Sequence, residues 1–227
     1  MTDHITYHHE IYQGSDEWLE LRRGILTASN MSLILTPTLK IAANDKSRSH
    51  LYELLAQRVS GYVEPSYISD DMLRGQDDEA EARDIYSKHF AEVDQVGFVT
   101  NDEWGFTLGY SPDGLVGDDG LIEIKSRRQK FQVCTIIDGA IPDEHTIQIQ
   151  TGLLVSGREW CDFVSYSGGL PMAVVRAFPD ETIQAAIIEA ATAFEARLAE
   201  KLAAYQTAIK NPRFIPTERR IEVEMHV

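Results

Sequence analysis

The chain has 227 residues, 43% hydrophobic and 25% charged, with 21 Lys and Arg against 36 Asp and Glu and a formal net charge of −15. This fits one domain with a sizeable core and no membrane partner, since no apolar run approaches the roughly 20 residues of a membrane span. The start, Met1-Thr2-Asp3-His4, lacks a basic-then-apolar signal sequence, and two cysteines outside any CxxC exclude a disulfide framework or a four-cysteine metal or iron–sulfur site within one chain.

The compartment expected is the cytosol. The acidic balance argues against a generic nucleic-acid binder, because affinity for DNA comes largely from Lys and Arg on phosphates. Net charge is not local field, however. Basic residues bunch at Arg22-Arg23 and over Lys125, Arg127, Arg128 and Lys130, and acidic ones at Asp70-Asp71 and from Asp77 to Glu81.

In chain order, Ser15 is a plausible N-cap for a helix over 16–21. A loop leads from Arg22 to Leu26, and Ser29 is placed to cap a short helix ending near Leu35. Residues 36–45, with Pro37, read as loop. Residues 47–60 read as a helix with Leu51, Leu54, Leu55 and Val59 on one face, stopped by Gly61, and 72–90 as a second helix. Strands are expected over 93–100, 106–110 and 121–125, helices over 127–137 and 143–155, and strands over 161–167 and 172–178. One long helix, 181–209, carries a stripe of Ile183, Ile187, Ala190, Phe194, Leu198, Leu202, Tyr205 and Ile209, read as core. An extended tail closes the chain, with Ile221, Val223, Met225 and Val227 alternating as in an edge strand. The expectation is a single mixed α/β domain spanning 1–227.

The most informative stretch is Ser111-Pro112-Asp113-Gly114-Leu115 followed by Glu123-Ile124-Lys125. Strand side chains alternate, so Glu123 and Lys125 share a face while Ile124 points into the core. The Asp113-Gly114 turn, with Gly117 and Gly120, lets the chain return as a hairpin and set Asp113 beside Glu123. Two close carboxylates make a hard-cation site of the Mg²⁺ kind. An adjacent lysine can orient or deprotonate the attacking water, or neutralise charge on a phosphate, as metal-assisted phosphodiester hydrolysis requires. Glu-x-Lys alone is common by chance; what raises its weight is that a half-buried strand seldom carries two ionisable groups on one face without a partner.

Two further constellations stay open at this level. Glu79 follows Gly75, but Asp78 and Glu81 are equally acidic, and a solvated helix face is the plainer reading. Gln148 and Gln150 interrupt an apolar pattern and lie about 200° apart on a helix, so at most one faces a given site.

The run Gly14-Ser15-Asp16-Glu17-Trp18 to Thr27-Ala28-Ser29, then Gly75 to Glu79, Ser111 to Leu115, Glu123-Ile124-Lys125 and Gln148-Ile149-Gln150 resembles the phage λ exonuclease family, the YqaJ-like viral recombinases of the PD-(D/E)xK nuclease superfamily. The resemblance covers roughly residues 13–167. Its most specific part is the Trp-x-x-x-Arg-x-Gly-x-x-Thr-Ala-Ser block.

The resemblance implies a restriction-endonuclease-like α/β (α+β) core, a central mixed sheet flanked by helices. It implies a 5′→3′ exonuclease on double-stranded DNA ends that yields mononucleotides and 3′ tails. Asp113, Glu123 and the Ile124 carbonyl would hold two Mg²⁺ ions, for which Mn²⁺ could substitute. Glu79 would complete the site through a water, Lys125 would assist the attacking water, and Gln148 would orient one of these. Arg22 and Ser29 would grip the 5′-terminal phosphate, and Lys40 and Lys130 match basic positions loosely. A homotrimeric ring and a single-strand annealing recombinase as partner complete the implied picture. Competing readings are a restriction- or repair-type endonuclease, which gives no reason for the Arg22 and Ser29 pair, an iron–sulfur relative, which two cysteines disfavour, and a non-catalytic DNA-binding or docking module, which need not keep Asp113, Glu123 and Lys125 together.

Overall fold

A computed structural model of the chain describes residues 4–65 and 70–219. β1 (Ile5–His8) pairs antiparallel with β3 (Phe98–Asn101). α1 (Asp16–Arg22) starts at Ser15, whose side chain accepts the Trp18 N–H at 3.2 Å, with Asp16 and Glu17 in its first turn. A capping hydroxyl and early acids both suit the exposed N–H groups of that end.

Gly24 then turns the chain at φ +70°, where a Cβ would lie 2.6 Å from Arg58 Cγ. Its N–H goes to Gln57 Oε1 (2.8 Å), its carbonyl accepts Arg58 Nε (2.6 Å), and Arg58 also forks onto Glu195. The turn after Arg22 is thereby locked to α2 (Asp45–Ser60) and α6 (Glu181–Ala208).

The loop expected up to Leu26 ends in a two-residue strand, β2 (Leu26–Thr27), parallel to β4 (Leu108–Tyr110). Thr27 is extended and the next turn follows directly as a 3-10 helix, Ala28–Leu33. Ser29 therefore lies inside that turn rather than capping a helix, with its Oγ 3.2 Å from Thr27 Oγ1.

The expected mixed sheet flanked by helices is present, divided into two four-stranded parts. One has the order β1-β3-β4-β2; the other runs β5 (Gly114–Val116), β6 (Gly120–Ser126), β7 (Trp160–Tyr166) and β8 (Ala173–Ala177). β6 is antiparallel to β5 and parallel to β7. The strand expected from Val93 shortens because that stretch pairs only once before Phe98, at Asp94 with Leu115.

β6 lies between two apolar layers. Leu121 joins the larger core with Tyr110, Leu153, Phe163 and Phe194; Ile122 and Ile124 join a second with Ala82, Tyr86 and Val164. α5 (Asp143–Ser156) covers the first face and α3 (Asp70–His89) the second. A strand covered on both faces reads as a nearly continuous apolar run, which is why the acid embedded in it is so conspicuous. Gly152 lets α5 approach Tyr110, whose ring a Cβ would meet at 2.7 Å.

The stripe of α6 is core only in part. Ile187, Ala190, Phe194 and Leu198 are buried, but Tyr205, Ile209 and also Val59 of α2 are exposed, because α6 runs on past the core. Between α2 and α6 this leaves an apolar groove of about 560 Å³. The expected edge strand from Ile221 lies outside the described residues. No helix of the described residues is long and apolar enough to cross a membrane.

Candidate functional site

The hairpin closes at residues 117–119, with Gly117 at φ +55°, rather than at Asp113-Gly114, because Gly114 already lies in β5. Gly114 pairs with Ile122, so Asp113 lies beside Glu123, and Asp113 Oδ2 accepts the Ile124 N–H at 2.5 Å. A strand residue sends its N–H and C=O out along the same edge, so the Ile124 carbonyl opens toward Asp113 as well. Glu123 is 1% exposed. Its Oε2 accepts the Tyr110 hydroxyl (2.8 Å); its Oε1 accepts Lys125 Nζ (2.6 Å) and Gln148 Nε2.

The two glutamines separate cleanly. Gln148 faces Glu123, while Gln150 is a buried amide that donates to the Phe178 carbonyl and accepts the Asp180 N–H. Among the acids of α3, Glu79 pairs with Arg83, whose Nε also donates to the Asp113 carbonyl at 2.7 Å. Asp78 instead accepts the Ser126 hydroxyl.

The electrostatics are those of crowded oxygens. Burial, then Glu123 and Glu79, push the Asp113 carboxyl well above the usual carboxylate range. Burial also raises Glu79, Glu123 adding to it, against the pull of Arg83 and Lys125. Burial opposes the Lys125 ammonium, but Glu123 and Asp113 overcome it and hold the group above its ordinary value. His145, one turn before Gln148, is held down to about 4 by burial, then by Lys125 and Arg127, and is neutral at physiological pH.

Among the described residues no three Asp, Glu, His or Cys side chains converge closely enough to form a metal cage by themselves. What converges is an oxygen set of two carboxylates and a main-chain carbonyl, with Glu79 one step away. That set, repelling itself internally, fits a small hard cation that keeps several waters.

A second cluster adjoins the first. The Arg22 guanidinium lies 4.1 Å from the Trp18 ring centre and 5.7 Å from that of Phe98, and burial lowers its pKa to about 10. Among the described residues it has no carboxylate partner; its Nη1 and the Trp18 indole N–H both donate to Ser111 Oγ, at 3.2 and 2.9 Å. With two donors on its oxygen, Ser111 has its own proton left to donate outward. The parallel register of Thr27 with Gly109 carries the chain toward Ser29 and toward Ser111 out at the same end of the sheet.

Lys40 and Lys130 are exposed, Lys130 against the Phe131 ring on α4 (Gln129–Asp138), and among the described residues neither is hydrogen-bonded or ion-paired to these clusters. Beyond Lys125 the chain instead borders a cleft of about 610 Å³ where Arg74, Arg127 and Arg128 stand with Asp78, Gln129, Ser167 and Gly168; Arg127 is ion-paired with Glu144 at 2.6 Å. Sequence reasoning gave no role to Tyr110, Ser111, Arg83 or His145. Only Arg83 had a usable signal, the i,i+4 spacing from Glu79 on a helix.

A mixed sheet flanked by helices, carrying Pro-Asp at the hairpin and Glu-x-Lys on the next strand, defines a PD-(D/E)xK nuclease-type domain. The profile of the YqaJ-like viral recombinase domain matches residues 17–159, more than half of the chain, and the chain belongs to that family. Among solved structures it is similar to an alkaline exonuclease (LHK-Exo) of Laribacter hongkongensis, with a TM-score of 0.77 and 32% identity, covering 86% of this chain and 98% of that one. LHK-Exo in complex with dAMP matches with the same TM-score and 34% identity, covering 86% and 99%. A phage-related exonuclease of Haemophilus somnus 129PT, 13% identical with a TM-score of 0.54 over 80% and 98%, shares the fold. Among curated proteins none matches this chain significantly.

Proposed function

We propose that the protein is a Mg²⁺-dependent 5′→3′ exonuclease that digests linear double-stranded DNA from 5′-phosphorylated ends to mononucleotides, leaving 3′ single-strand tails for annealing recombination. One observation carries the direction of digestion: Ser111, two residues before Asp113, is hydrogen-bonded to Arg22. A guanidinium with no carboxylate partner among the described residues thus adjoins the acidic hairpin. A terminal phosphate carries more charge and more free oxygens than an internal diester, and an arginine fork suits it. Arg22, the Ser111 proton and Ser29 would hold that phosphate and present the first diester to the hairpin.

Asp113, Glu123 and the Ile124 carbonyl would hold the divalent ions, with Glu79 behind them; Mn²⁺ could replace Mg²⁺. When bound, such a pair supplies Lewis-acid polarisation of the scissile phosphate and offsets charge on the entering and leaving oxygens. Lys125, kept charged by Glu123 and Asp113, would orient the attacking water and balance charge on the phosphate. Gln148 fixes the shared oxygen of Glu123. Tyr110, whose pKa burial raises well above its ordinary value, keeps its hydroxyl proton and donates it in a hydrogen bond to Glu123 Oε2. Arg74 and Arg128, in the cleft they share with Asp78, would carry backbone phosphates beyond the cut. The resemblance adds a ring of three copies, three times the 25.6 kDa chain mass by light scattering, and an annealing protein as partner. A closed ring keeps DNA by topology and so tolerates an acidic exterior.

The test is a time course on linear duplex labelled at each end, with and without 5′ phosphate, in Mg²⁺. Shortening from 5′-phosphorylated ends to mononucleotides, with covalently closed circles untouched, supports the reading. Efficient cutting of circles would move it to the endonuclease class, and no cleavage in any divalent metal would leave a binding module.

A further inference from the structure

Arg83 lies on α3 one turn after Glu79 and is largely buried. One edge of its guanidinium makes two contacts to different parts of the fold. Nη2 reaches the Glu79 carboxylate, and Nε reaches the main-chain carbonyl of Asp113 at 2.7 Å. Glu79 has no other hydrogen bond among the described residues. It is also the one acid of the cluster that comes from a helix rather than from the hairpin. The packing of α3 on β6 places the Glu79 backbone, and this link orients its carboxylate relative to the Asp113 main chain.

We propose that Arg83 is a positioning residue for the nuclease reaction: its fork sets the Glu79 carboxylate at a fixed place relative to the Asp113 main chain, and through that the geometry of the cation-binding oxygens. The inference rests on the metal-dependent nuclease reading. A salt bridge kept for stability alone would need only charge at this point. The planar fork, spanning a side chain and a carbonyl with one edge, specifies direction, which lysine cannot reproduce.

The test compares Arg83→Ala, Arg83→Lys, Glu79→Ala and the Arg83→Ala/Glu79→Ala pair. Three quantities are read: thermal unfolding without metal, Mn²⁺ binding to the DNA-free protein by calorimetry, and kcat and KM on linear duplex. Arg83→Ala is expected to lose about 10–100-fold in kcat, as partners behind a metal site do. Its KM should stay near wild type and its Mn²⁺ affinity should fall. Arg83→Lys should restore only part. In the Glu79→Ala background, Arg83→Ala should cost less than about twofold more, because two residues acting as a unit are not additive.

Losses that multiply in the double variant, full rescue by lysine, or a lowered Tm with kcat and Mn²⁺ affinity unchanged would each overturn the proposal. If Arg83→Ala does not fold, Arg83→Gln, which retains a donor, is put through the same comparison. If the wild type cleaves nothing, the nuclease reading fails by itself, and the Mn²⁺ titrations still decide whether Arg83 organises the cation site.

Discussion

The two faces of the β6–β7 pair carry two ionisable clusters built from similar residues. On the face under α3, Asp162 is almost fully buried, takes a bidentate fork from Arg176 at 2.7 and 2.9 Å and accepts the Tyr86 hydroxyl at 2.6 Å. Arg176 in turn stacks on Trp160, 3.6 Å from its ring centre. One carboxylate there meets one guanidinium, and its hydrogen bond to Asp162, ahead of its charge, raises the arginine's pKa. On the other face, under α5, Glu123 and Lys125 meet Asp113 at the edge of the hairpin, where Glu79 and Arg83 reach in from α3, and two of the three carboxyls sit above their ordinary range. The first cluster is complete, and holds α3 and β8 to the sheet. The second has an excess of oxygens that the protein does not neutralise by itself, which is how a site for an external cation differs from a structural ion pair.

This contrast breaks first on activity. Lys125→Ala and Glu123→Ala should each lower cleavage of linear duplex by about 10³-fold or more, as loss of a group that stabilises developing charge does, with cooperative unfolding retained. Asp162→Ala should do the reverse. Breaking charge-assisted bonds costs about 1.5–3 kcal/mol each, so its Tm falls while cleavage per folded molecule persists. Calorimetry alongside a nuclease assay separates the two. Asp162→Ala losing activity without losing Tm would dissolve the distinction between the faces.

The glutamines sharpen it. Gln148→Ala should cost about 10–100-fold in rate with little change in Tm. Gln150→Ala should cost about 1–3 kcal/mol of stability, because it orphans the Phe178 carbonyl and the Asp180 N–H, with the rate per folded molecule kept. Arg22→Ala should lose most of the preference for 5′-phosphorylated over 5′-hydroxyl ends, on the order of 1.5–3 kcal/mol for a hydrogen bond to a charged group. Equal slowing of both substrates would assign Arg22 to structure or general DNA binding.

These pairs also mark how far the sequence could be read. The Asp113–Glu123–Lys125 arrangement was legible because it is local: period-2 alternation and a glycine-bearing turn determine who faces whom. Asp162 was passed over because it sits in a strand that otherwise reads as plain core, and its partners Tyr86 and Arg176 are distant in sequence. The choice between Gln148 and Gln150 depended on which face of α5 meets the sheet, a tertiary fact. Ser29 was misplaced as a cap because β2, only two residues long, gives no periodic signal. The exposed end of α6 kept its apolar period although the core had already ended, so the stripe overstated burial at Tyr205 and Ile209.

The smallest expected effect concerns pH and the metal-free protein. A carboxyl whose folded pKa is raised binds its proton more tightly when folded. Its stabilising contribution is present below the unfolded value, about 4 for Asp and Glu, and is lost as pH rises through the folded one. Asp113 and Glu79 both act in this direction. His145 acts in the opposite one: depressed to about 4, it adds stability above its unfolded value, about 6.5, and loses it as pH falls toward the folded one. The net slope therefore mixes signs, and the informative quantity is a difference between variants. Asp113→Asn keeps an oxygen to accept the Ile124 N–H and removes the charge. In chelator it should have a higher Tm than wild type near pH 8, with the gap closing as pH falls toward 4. Asp162→Asn should lower Tm near pH 8 instead, since it removes charge from a balanced pair. If Asp113→Asn is no more stable than wild type near pH 8, the oxygens of the hairpin are not in excess, and the contrast between the two faces loses its physical basis.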